Sequence, residues 1–413
     1  MTMPRLNTIS TEARSQPTSW DLLKLGDVPT DGGTYVSAYF AENLSVVFAC
    51  TQAIAESCAM LPLRVYRKMP DGSRLEEPAH PVARLFSGDP TPSLTASELI
   101  EMMTAHCLLR GNAYAEIVRD GRGAPIGLTP FPPDLVGVVH VRSTGRYAYD
   151  VFLPSGGTRR ILPDDMLHIK DRSDDGIVGK SRLTRTRETL GIALASERYA
   201  GSTFRNGAAM SGILSHPDHL GEEATKNLRD SFKATYGGAD KAGAIAVLEE
   251  GLKWQQISVS PDDAQMLETP RFSVEQLSRI FRVPGPIIGD FSGGNYSSIV
   301  EVTRWFYTQT LQPWLNKWER TIERALLSEA SRRSYEVEFD VDLLLRGDML
   351  TRFQAYRIAR EVGLYSANEL RRFENANPRT DPDGDTYLTP ANMQPEQTRQ
   401  PVADRGGGTA AKE

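Results

Sequence analysis

The chain has 413 residues, 40% of them hydrophobic, which is enough for a globular core of several layers or subdomains. Its 47 lysines and arginines stand against 53 aspartates and glutamates, a formal net charge of -6, so a general basic surface that grips nucleic acid is not expected. The N-terminus lacks the apolar core of a signal peptide, and no apolar run reaches the roughly 18 residues of a membrane span. These features predict a soluble protein in the cytoplasm.

The cysteine pattern excludes a disulfide framework. Cys50, Cys58 and Cys107 show no C-x-x-C spacing and fall within apolar helical patterns. They are expected to be buried free thiols in a reducing compartment.

The first part of the chain predicts an α+β body that follows a polar N-terminal segment. An apolar pattern from Asn43 predicts a helix that Pro62 ends, and T-A-S-E at Thr95 predicts a second helix with a capping box to Glu98. Short runs rich in Val, Ile and Tyr then predict strands, namely LRVYRK, NAYAEIVR, LVGVVHVR, YAYDVFL and MLHIK.

The middle of the chain predicts two helices around a compact insert. Helical spacing from about Leu183 predicts one long helix that ends at Asn206-Gly207. The insert contains the apolar stretch SGIL, a helix, and a hairpin that pairs AIAVL with LKWQQI. The pattern DDAQMLETPRFSVEQLSRIFRV returns from the insert as a helix, and Pro270 inside it predicts a kink or a division.

A loop and the longest predicted helix come next. The prolines and glycines of VPGPIIGDFSGGNYSS predict irregular structure. The helix is expected from about Ser298 to Leu327, with a packed face that includes Trp305, and Pro313 is predicted to bend it by removing the hydrogen bond to the Gln309 carbonyl. YEVEFDVDLL predicts a late strand, and two short helices follow, the second capped by Ser366 with Glu369.

One stretch, DDGIVGKSRL from Asp174, resembles the end of a phosphate-binding P-loop. A P-loop needs four residues between its glycines so that backbone N–H groups surround the phosphates, and here only Ile177 and Val178 separate Gly176 from Gly179. The neighbouring aspartates would also present carboxylates to a phosphate. We therefore interpret the stretch as a connection between a strand and a helix.

No other motif predicts catalysis. His216 and His219 stand three apart near two glutamates, but Pro217 disfavours the helical geometry of a zinc site. A G-x-S-x-G nucleophile elbow is absent, and the acidic pair Asp164-Asp165 is typical of a turn. The sequence therefore predicts no catalytic residue, no metal and no cofactor.

Several segments in a fixed order resemble the portal proteins of tailed bacteriophages, the head-to-tail connectors of the siphovirus type. The resemblance covers about residues 40–390 and rests on LSVVFACTQAIAESCAMLPLRVYR, LLRGNAYAEIVRD, DMLHIK with DGIVGKSRL, ERYAGSTFRNGA, VLEEGLKWQQIS, SPDDAQMLETPRFSVEQLSRIFRVP and LQPWLNKWERTIERALL. Such an ordered series is more specific than any single motif.

The resemblance implies a ring-forming subunit with the α+β portal fold. The implied parts are a mobile N-terminal arm (1–34), the wing (35–183), the first stem helix (184–210), the clip (211–258), the second stem helix (259–285), the tunnel loop (286–298), a long bent channel helix (299–330), a wing strand (331–346), the crown (347–378) and a mobile C-terminal tail (379–413). In this map DGIVGKSRL is the turn from the last wing strand into the first stem helix.

The resemblance also implies the function and the partners. A ring, usually of twelve subunits, would stand at one capsid vertex of the virion after assembly in the bacterial cytoplasm, and double-stranded DNA would pass through it without sequence-specific binding. The implied partners are the terminase large subunit, the major capsid protein and head-tail adaptor proteins, with no membrane. The expected channel residues are Asp290, Phe291, Ser292, Gly293, Gly294, Asn295, Tyr296 and Ser297.

Two alternatives stay open at this point. The first is a nucleotide- or metal-dependent cytoplasmic enzyme that uses DGIVGKS or the histidine pair. The second is the portal of a prophage or of a gene-transfer particle, which the sequence does not separate from that of an infectious phage.

Overall fold

The structure is a computed structural model. It describes residues 28–30, 35–141, 146–154, 156–205, 212–215, 221, 223, 225–227, 230–231, 253–256, 269–291, 299–341, 349–374 and 376–388. The chain divides into two compact units, Met1–Asp340 and Val341–Glu413.

The first unit mixes helices with short strands. Its helices are α1 (Ala38–Glu42), α2 (Ser45–Ala59), α3 (Pro81–Ser87), α4 (Ala96–Arg110), α5 (Arg182–Arg185), α6 (Arg187–Arg205), α7 (Thr269–Phe281), α8 (Ile299–Phe306), α9 (Gln312–Leu326) and α10 (Glu329–Ser334). Its strands are β1 (Val28–Pro29), β2 (Tyr35–Val36), β3 (Leu63–Lys68), β4 (Arg74–Glu76), β5 (Asn112–Arg119), β6 (Pro125–Phe131), β7 (Val136–Val141), β8 (Arg146–Phe152), β9 (Thr158–Ile161), β10 (Met166–Lys170), β11 (Gly212–Ser215), β12 (Lys253–Gln256) and β13 (Tyr335–Phe339).

The described strands form small antiparallel sheets. Their orders are β1-β2, β10-β5-β6, β11-β12, β13-β3-β4 and β7-β8-β9. The late strand β13 pairs with β3 near the start of the chain, with Val337 opposite Val65. The α+β class is thereby confirmed, as are the five predicted strands and the late strand over Tyr335–Phe339.

The core of the first unit lies where α2, α4 and α9 meet the strands. Trp318 of α9 is fully buried, and its indole Nε1 donates a hydrogen bond to Thr104 Oγ1 of α4 at 3.0 Å. A buried tryptophan supplies a large apolar area, and its polar N–H needs a partner to avoid a desolvation cost. This contact fixes α9 on the helical layer.

Helix α4 has the predicted ends. Thr95 and Glu98 form the complete capping box, and Gly111 ends the helix in the left-handed region at φ 78°. A Cβ on Gly111 would lie 2.5 Å from the Ser181 nitrogen, so a glycine is needed there for contact as well as for conformation.

The three cysteines Cys50, Cys58 and Cys107 are free and buried, as predicted. Burial raises the pKa of each thiol to about 12, because the apolar core disfavours the charged thiolate.

Three local predictions need correction. The single long helix from Leu183 is wrong in detail, because Thr186 leaves helical geometry (φ -118°, ψ 25°) between α5 and α6 while its hydroxyl donates to the Arg182 carbonyl at 2.9 Å. The loop after Phe281 is not wholly irregular, since a 3-10 helix spans Gly285–Ile288. The predicted N-terminal arm is too long, because β1 pairs with β2.

The insert is described only in part. Lys253–Gln256 pairs with Gly212–Ser215, so the described partner of LKWQQI is the SGIL stretch. The AIAVL segment and most of the predicted insert helix lie outside the described residues. Residues 257–268 also lie outside the described residues. Pro270 stands in the first turn of the described helix α7.

The second unit contains α11 (Met349–Glu361) and α12 (Ala367–Phe373). The predicted capping box of Ser366 with Glu369 is confirmed. Asn368 binds the chain that follows, since its Oδ1 accepts from the Arg379 N–H at 2.6 Å and its Nδ2 donates to Asp385 at 2.9 Å. Residues 379–388 are therefore held against α12, and the predicted mobile tail is wrong over that part because composition does not reveal such tertiary hydrogen bonds.

Within the described ranges, no helix combines the length and the apolar character that crossing a lipid bilayer requires.

Candidate channel loop and the junction at its base

The predicted channel loop is described at its start. Asp290 and Phe291 are placed, whereas residues 292–298 lie outside the described residues. The loop is approached through the 3-10 helix Gly285–Ile288, after which Gly289 takes a left-handed conformation at φ 83°. The Asp290 N–H donates back to the Gly285 carbonyl at 2.9 Å. The Phe291 side chain, 62% exposed, follows this tight turn.

Both sides of the loop are tied together at one point. Arg282 ends α7 with a positive φ of 58°, which is uncommon for a residue with a side chain. Its carbonyl accepts a hydrogen bond from Thr310 Oγ1, on the far side of the loop. The Val283 N–H donates to Ser278 at 3.0 Å. The two ends of the loop are therefore joined by hydrogen bonds between the end of α7 and the helical turn that contains Thr310.

The predicted channel helix is interrupted just before Pro313. A π-helical turn, Tyr307–Leu311, joins α8 to α9, and Pro313 stands in the first turn of α9. Proline lacks the N–H that an α-helical bond to Gln309 would need, and a π turn is one way in which a helix accommodates a changed bonding pattern. The predicted bend at Pro313 stays a prediction.

The π turn changes which side chains are buried. Trp305 is 47% exposed, while its neighbour Phe306 is 4% exposed, so placing Trp305 on the packed face was wrong. A π turn has more residues per turn than an α-helix, and it shifts the buried stripe by part of a turn. From Leu311 onward the buried positions follow the prediction, through Leu315, Trp318, Ile322 and Leu326.

A buried ion cluster lies beside this helix. The Asp171 carboxylate, at the end of β10, is 2.7 Å from Arg182 Nε of α5 and 3.2 Å from Lys317 Nζ of α9. The Asp171 side chain is 9% exposed. Although burial pushes the pKa of Asp171 upward, the two cations outweigh it and hold the pKa below its ordinary value. The carboxylate stays ionised and joins three segments of the chain.

The two cations of the cluster share an aromatic surface. Lys317 Nζ lies 4.1 Å and Arg182 Cζ 5.3 Å from the centre of the Trp314 ring. Arg182 also donates to the Ile280 carbonyl at 3.3 Å, near the end of α7. We call Asp171, Arg182, Trp314 and Lys317 the junction. It links the turn after β10, the start of the α5–α6 region, α7 and the channel helix.

The N–H groups in the Gly176–Val178 part of the turn already have partners and are not available to a phosphate. The N–H of Gly176 donates to Ser173 Oγ at 2.9 Å, and those of Ile177 and Val178 donate to the Asp175 carboxylate at 2.7 and 2.9 Å. Lys180 forms an exposed ion pair with Asp174 at 3.6 Å. These groups act within the turn, in agreement with its interpretation as a connection.

An amide side chain holds the end of this turn. Asn112 receives the Gly179 N–H on Oδ1 at 2.7 Å and donates from Nδ2 to the Gly179 carbonyl at 2.8 Å. His168 Nε2 lies 2.9 Å from the same Oδ1 and must donate, because an amide oxygen only accepts. His168 Nδ1 then accepts from the Tyr149 hydroxyl at 3.0 Å.

This tautomer requires a neutral imidazole. Burial, and to a smaller extent the nearby charge of Lys170, lowers the pKa of His168 to about 3. The network connects β8, β10 and β5 to the turn without any charged group inside it.

The described part of the chain offers no group of three or more His, Cys, Asp or Glu side chains arranged to hold a metal ion. His216 and His219 lie outside the described residues. Asp164 and Asp165 fall in the 3-10 turn Pro163–Asp165, as their sequence pattern predicted.

Sequence reasoning missed the junction. Asp171 and Lys317 are 146 positions apart, and no local pattern connects them. The available signal was an aspartate directly after the apolar strand MLHIK, followed at Arg182 by the start of a helix.

Comparison with known proteins gives consistent relatives. The family model described as Phage portal protein matches residues 45–375. The chain is 31% identical over 393 residues to the probable portal protein of Streptomyces phage phiC31, covering 92% of this chain and 85% of the relative. It is also 31% identical over 357 residues to the portal protein of Enterobacteria phage HK97, covering 86% and 83%.

Solved structures give the same fold. A chain from the neck of an empty gene transfer agent particle, computed with C6 symmetry, matches with a TM-score of 0.59 and 26% identity, over 83% of this chain and 92% of that one. An HK97 family phage portal protein from Corynebacterium diphtheriae matches with a TM-score of 0.55 and 17% identity, over 77% and 98%. With the family model covering most of the sequence, these similarities show that the chain belongs to the phage portal protein family.

Proposed function

We propose that this chain is the subunit of a portal ring at one capsid vertex, through which double-stranded DNA is packaged and later ejected. The observation that carries the proposal is the family match over residues 45–375, together with phage portal relatives that align over more than four-fifths of their own length. The proposed ring has twelve subunits. Its role is structural, and the energy for packaging comes from a separate terminase.

The proposed parts follow the order of elements. The wing comprises residues 35–183 and 331–346, the stem 184–210 and 259–285, the clip 211–258, the tunnel loop 286–298, the bent channel helix 299–330 and the crown 347–378. The hydrogen bond between Thr310 and Arg282 supports the loop assignment, because it anchors the chain on both sides of the proposed loop to packed helices.

The proposed partners are the terminase large subunit, the major capsid protein, head-tail adaptor proteins and the DNA in the channel. The ring would be assembled in the host cytoplasm and remain in the virion. A net charge of -6 suits a conduit, because each cation that grips a phosphate adds a bond that moving DNA must break.

The test of the ring is electron microscopy of the purified protein in negative stain. Closed rings with a central hole are expected. A monodisperse monomer over a wide range of protein and salt concentrations would contradict the proposal.

The test of the loop is Asn295→Lys in the assembled ring. A circle of ammonium groups around the DNA should slow packaging in a manner that added salt relieves. Lys180→Ala, in the turn outside the loop, is the matched control. Unchanged packaging by Asn295→Lys at low salt would remove the loop from the channel.

The portal of a gene-transfer particle is the second candidate, favoured by the similarity to neck and virion chains of such particles. Sequencing the DNA inside particles that contain this protein separates the two. A single phage genome identifies an infectious phage, and fragments drawn from the host chromosome identify a gene-transfer particle.

A further inference from the structure

A strongly basic cleft opens beside the channel helix. Its volume is about 1040 Å³, and its walls come from the β5–β6 turn, β10, α9 and α10. Seven lysine and arginine side chains line it against two aspartates, Asp164 and Asp171. Such a concentration of one sign in a concave site focuses the electrostatic field and attracts an anion.

Some of these cations serve the fold. The Arg119 guanidinium donates to the carbonyls of Gly123, Asp164 and Ala325, at 3.1, 3.1 and 3.0 Å. Lys317 is held by Asp171 in the junction. These side chains have internal partners and need no external anion.

Other cations lack such partners. Among the described residues, the side chains of Arg122 and Arg324 have no hydrogen-bond or ion-pair partner. Burial and then the charge of Arg324 lower the pKa of Lys170, which shows that like charges crowd this wall. Bringing a negative group between them would relieve that repulsion.

A second basic cleft adjoins the first. Its volume is about 400 Å³, and it shares Asp171, Pro313 and Lys317 with the larger one. Six lysine and arginine side chains line it against the single Asp171. The two clefts form one basic surface, with twelve different cations and two aspartates.

The rest of the chain has the opposite charge. Outside the two clefts, the sequence holds 35 lysines and arginines and 51 aspartates and glutamates, an excess of 16 negative charges. The remainder of a second copy of this chain therefore carries net charge of the sign that the clefts attract. Free DNA, in contrast, is repelled at long range by the same acidic excess.

We infer that the basic cleft lined by Arg122, Lys170 and Arg324 receives an acidic surface of the neighbouring copy in the ring. The inference rests on the proposed ring, in which every subunit must offer two different, complementary faces to its neighbours. Arg122 and Arg324 are the residues to change, because neither has an internal partner among the described residues that its loss would expose.

The test compares ring assembly by wild-type protein and by Arg122→Glu/Arg324→Glu, using mass photometry over a range of protein and salt concentrations. The wild type should form rings, less readily at 500 mM than at 50 mM NaCl. The double variant should need roughly 100-fold more protein for half-assembly, because two attractive contacts per interface become repulsive. Arg333→Glu, on an 82% exposed side chain, is the matched control and should assemble as the wild type does.

Mixing the double variant with wild-type protein distinguishes loss of the interface from failure to fold. A folded double variant still offers its acidic face, so small amounts added to wild-type protein should terminate open arcs and reduce closed rings. Arg122→Gln/Arg324→Gln provides a milder change, with weaker assembly and a smaller salt dependence expected.

Four outcomes would overturn the inference. Rings of either double variant at wild-type concentrations would do so, and so would assembly of the wild type that salt does not affect. Variant rings that assemble normally but lose binding to a duplex oligonucleotide would assign the cleft to nucleic acid instead. Wild-type protein that forms no rings would overturn the proposed function, and this inference with it.

Discussion

Asp171 and Asp174 stand three residues apart in one turn, and each holds two cations. Asp171 is 9% exposed and binds Arg182 and Lys317 from two different helices. Asp174 is 55% exposed and binds Arg185 and Lys180, at 2.7 and 3.6 Å. The two carboxylates differ in solvent exposure. Water can replace the partners of the exposed carboxylate at little cost, whereas the buried carboxylate depends more strongly on its two cations.

The comparison divides the turn into a base and a tip. The base contains Asp171 and Gly179, whose side-chain or Cβ positions are shielded from solvent, and the tip contains Asp174 and Gly176, which are exposed. Substitutions at the base should disturb the fold, whereas matched substitutions at the tip should have small effects.

The largest effect is expected for Gly179→Ala. A Cβ at this position would lie 2.8 Å from the Asp171 nitrogen and closer still to the Gly111 carbonyl, both of which are backbone atoms that cannot move aside. We expect a loss of about 3 kcal/mol or more in the free energy of unfolding, measured by urea denaturation. Gly176→Ala is the control, because nothing lies within 4 Å of its Cβ and only its φ of 76° opposes the change, at about 1 kcal/mol. Equal losses of unfolding free energy in the two variants would contradict the division of the turn into a base and a tip.

The next effect is expected for Asp171→Ala. Removing this carboxylate leaves Arg182 and Lys317 without their buried counterion, which should lower the free energy of unfolding by about 3 kcal/mol. Asp174→Ala should not shift the thermal midpoint measurably, because the Asp174 carboxylate is 55% exposed and its ion pairs are weakened by solvent. If both variants melt at the same temperature, burial does not distinguish the two carboxylates.

Lowering the pH should distinguish the contribution of the junction to stability from that of the buried histidines. His106 and His168 have pKa values lowered to about 4 and about 3 by burial, so the unfolded chain takes up protons first and stability falls as the pH drops below about 6.5. The pKa of Asp171 is also lowered, from an ordinary value of 3.8. Its contribution is fully present above that value and is lost as the pH falls through the folded-state pKa.

Urea denaturation across this pH range provides the measurement. The Asp171→Asn variant should keep the decline of the wild type between about pH 6.5 and 4 and should decline less steeply than the wild type below pH 4, where His168 and carboxylates other than Asp171 still contribute. If the unfolding free energies of the two proteins stay parallel down to about pH 3, the Asp171 carboxylate does not contribute to the loss of stability below about pH 4.

The smallest effect is expected for Lys180→Ala at the tip. The ammonium group is half exposed and forms one ion pair, so stability should change by less than about 1 kcal/mol. DNA packaging in an assay driven by terminase should stay near the wild-type rate, because no phosphate depends on this group. Loss of ATP binding by the purified ring after this change would return the turn to the P-loop interpretation.

Local sequence signals predicted much of the fold. The capping boxes at Thr95 and Ser366 were predictable because their partners lie three residues away. The strands NAYAEIVR and MLHIK were predictable because their residue types and flanking turns are local as well. Trp305 was wrongly placed on the buried face because the π turn at Tyr307–Leu311 changes which side chains face the core. No residue before Pro313 signals that turn in the sequence.

The site was less predictable, for a physical reason. The loop residues from Asp290 were proposed from glycine content and family resemblance, but the hydrogen bond between Thr310 and Arg282 that closes the base depends on folding across 28 positions. Asp171 meets Lys317 across 146 positions. A long-range ion pair leaves no periodic trace in a single sequence, so only the folded chain shows which carboxylate is buried.

The burial of the cysteines has a practical consequence for studying motion in the ring. A maleimide dye reacts with the thiolate form of an accessible cysteine, and Cys50, Cys58 and Cys107 are neither accessible nor ionised at neutral pH. The native sequence therefore provides a silent background for fluorescent labelling. A single cysteine introduced into the channel loop could carry a reporter dye without removal of the three natural ones, so that single-molecule fluorescence could follow the loop in a ring whose core is unaltered.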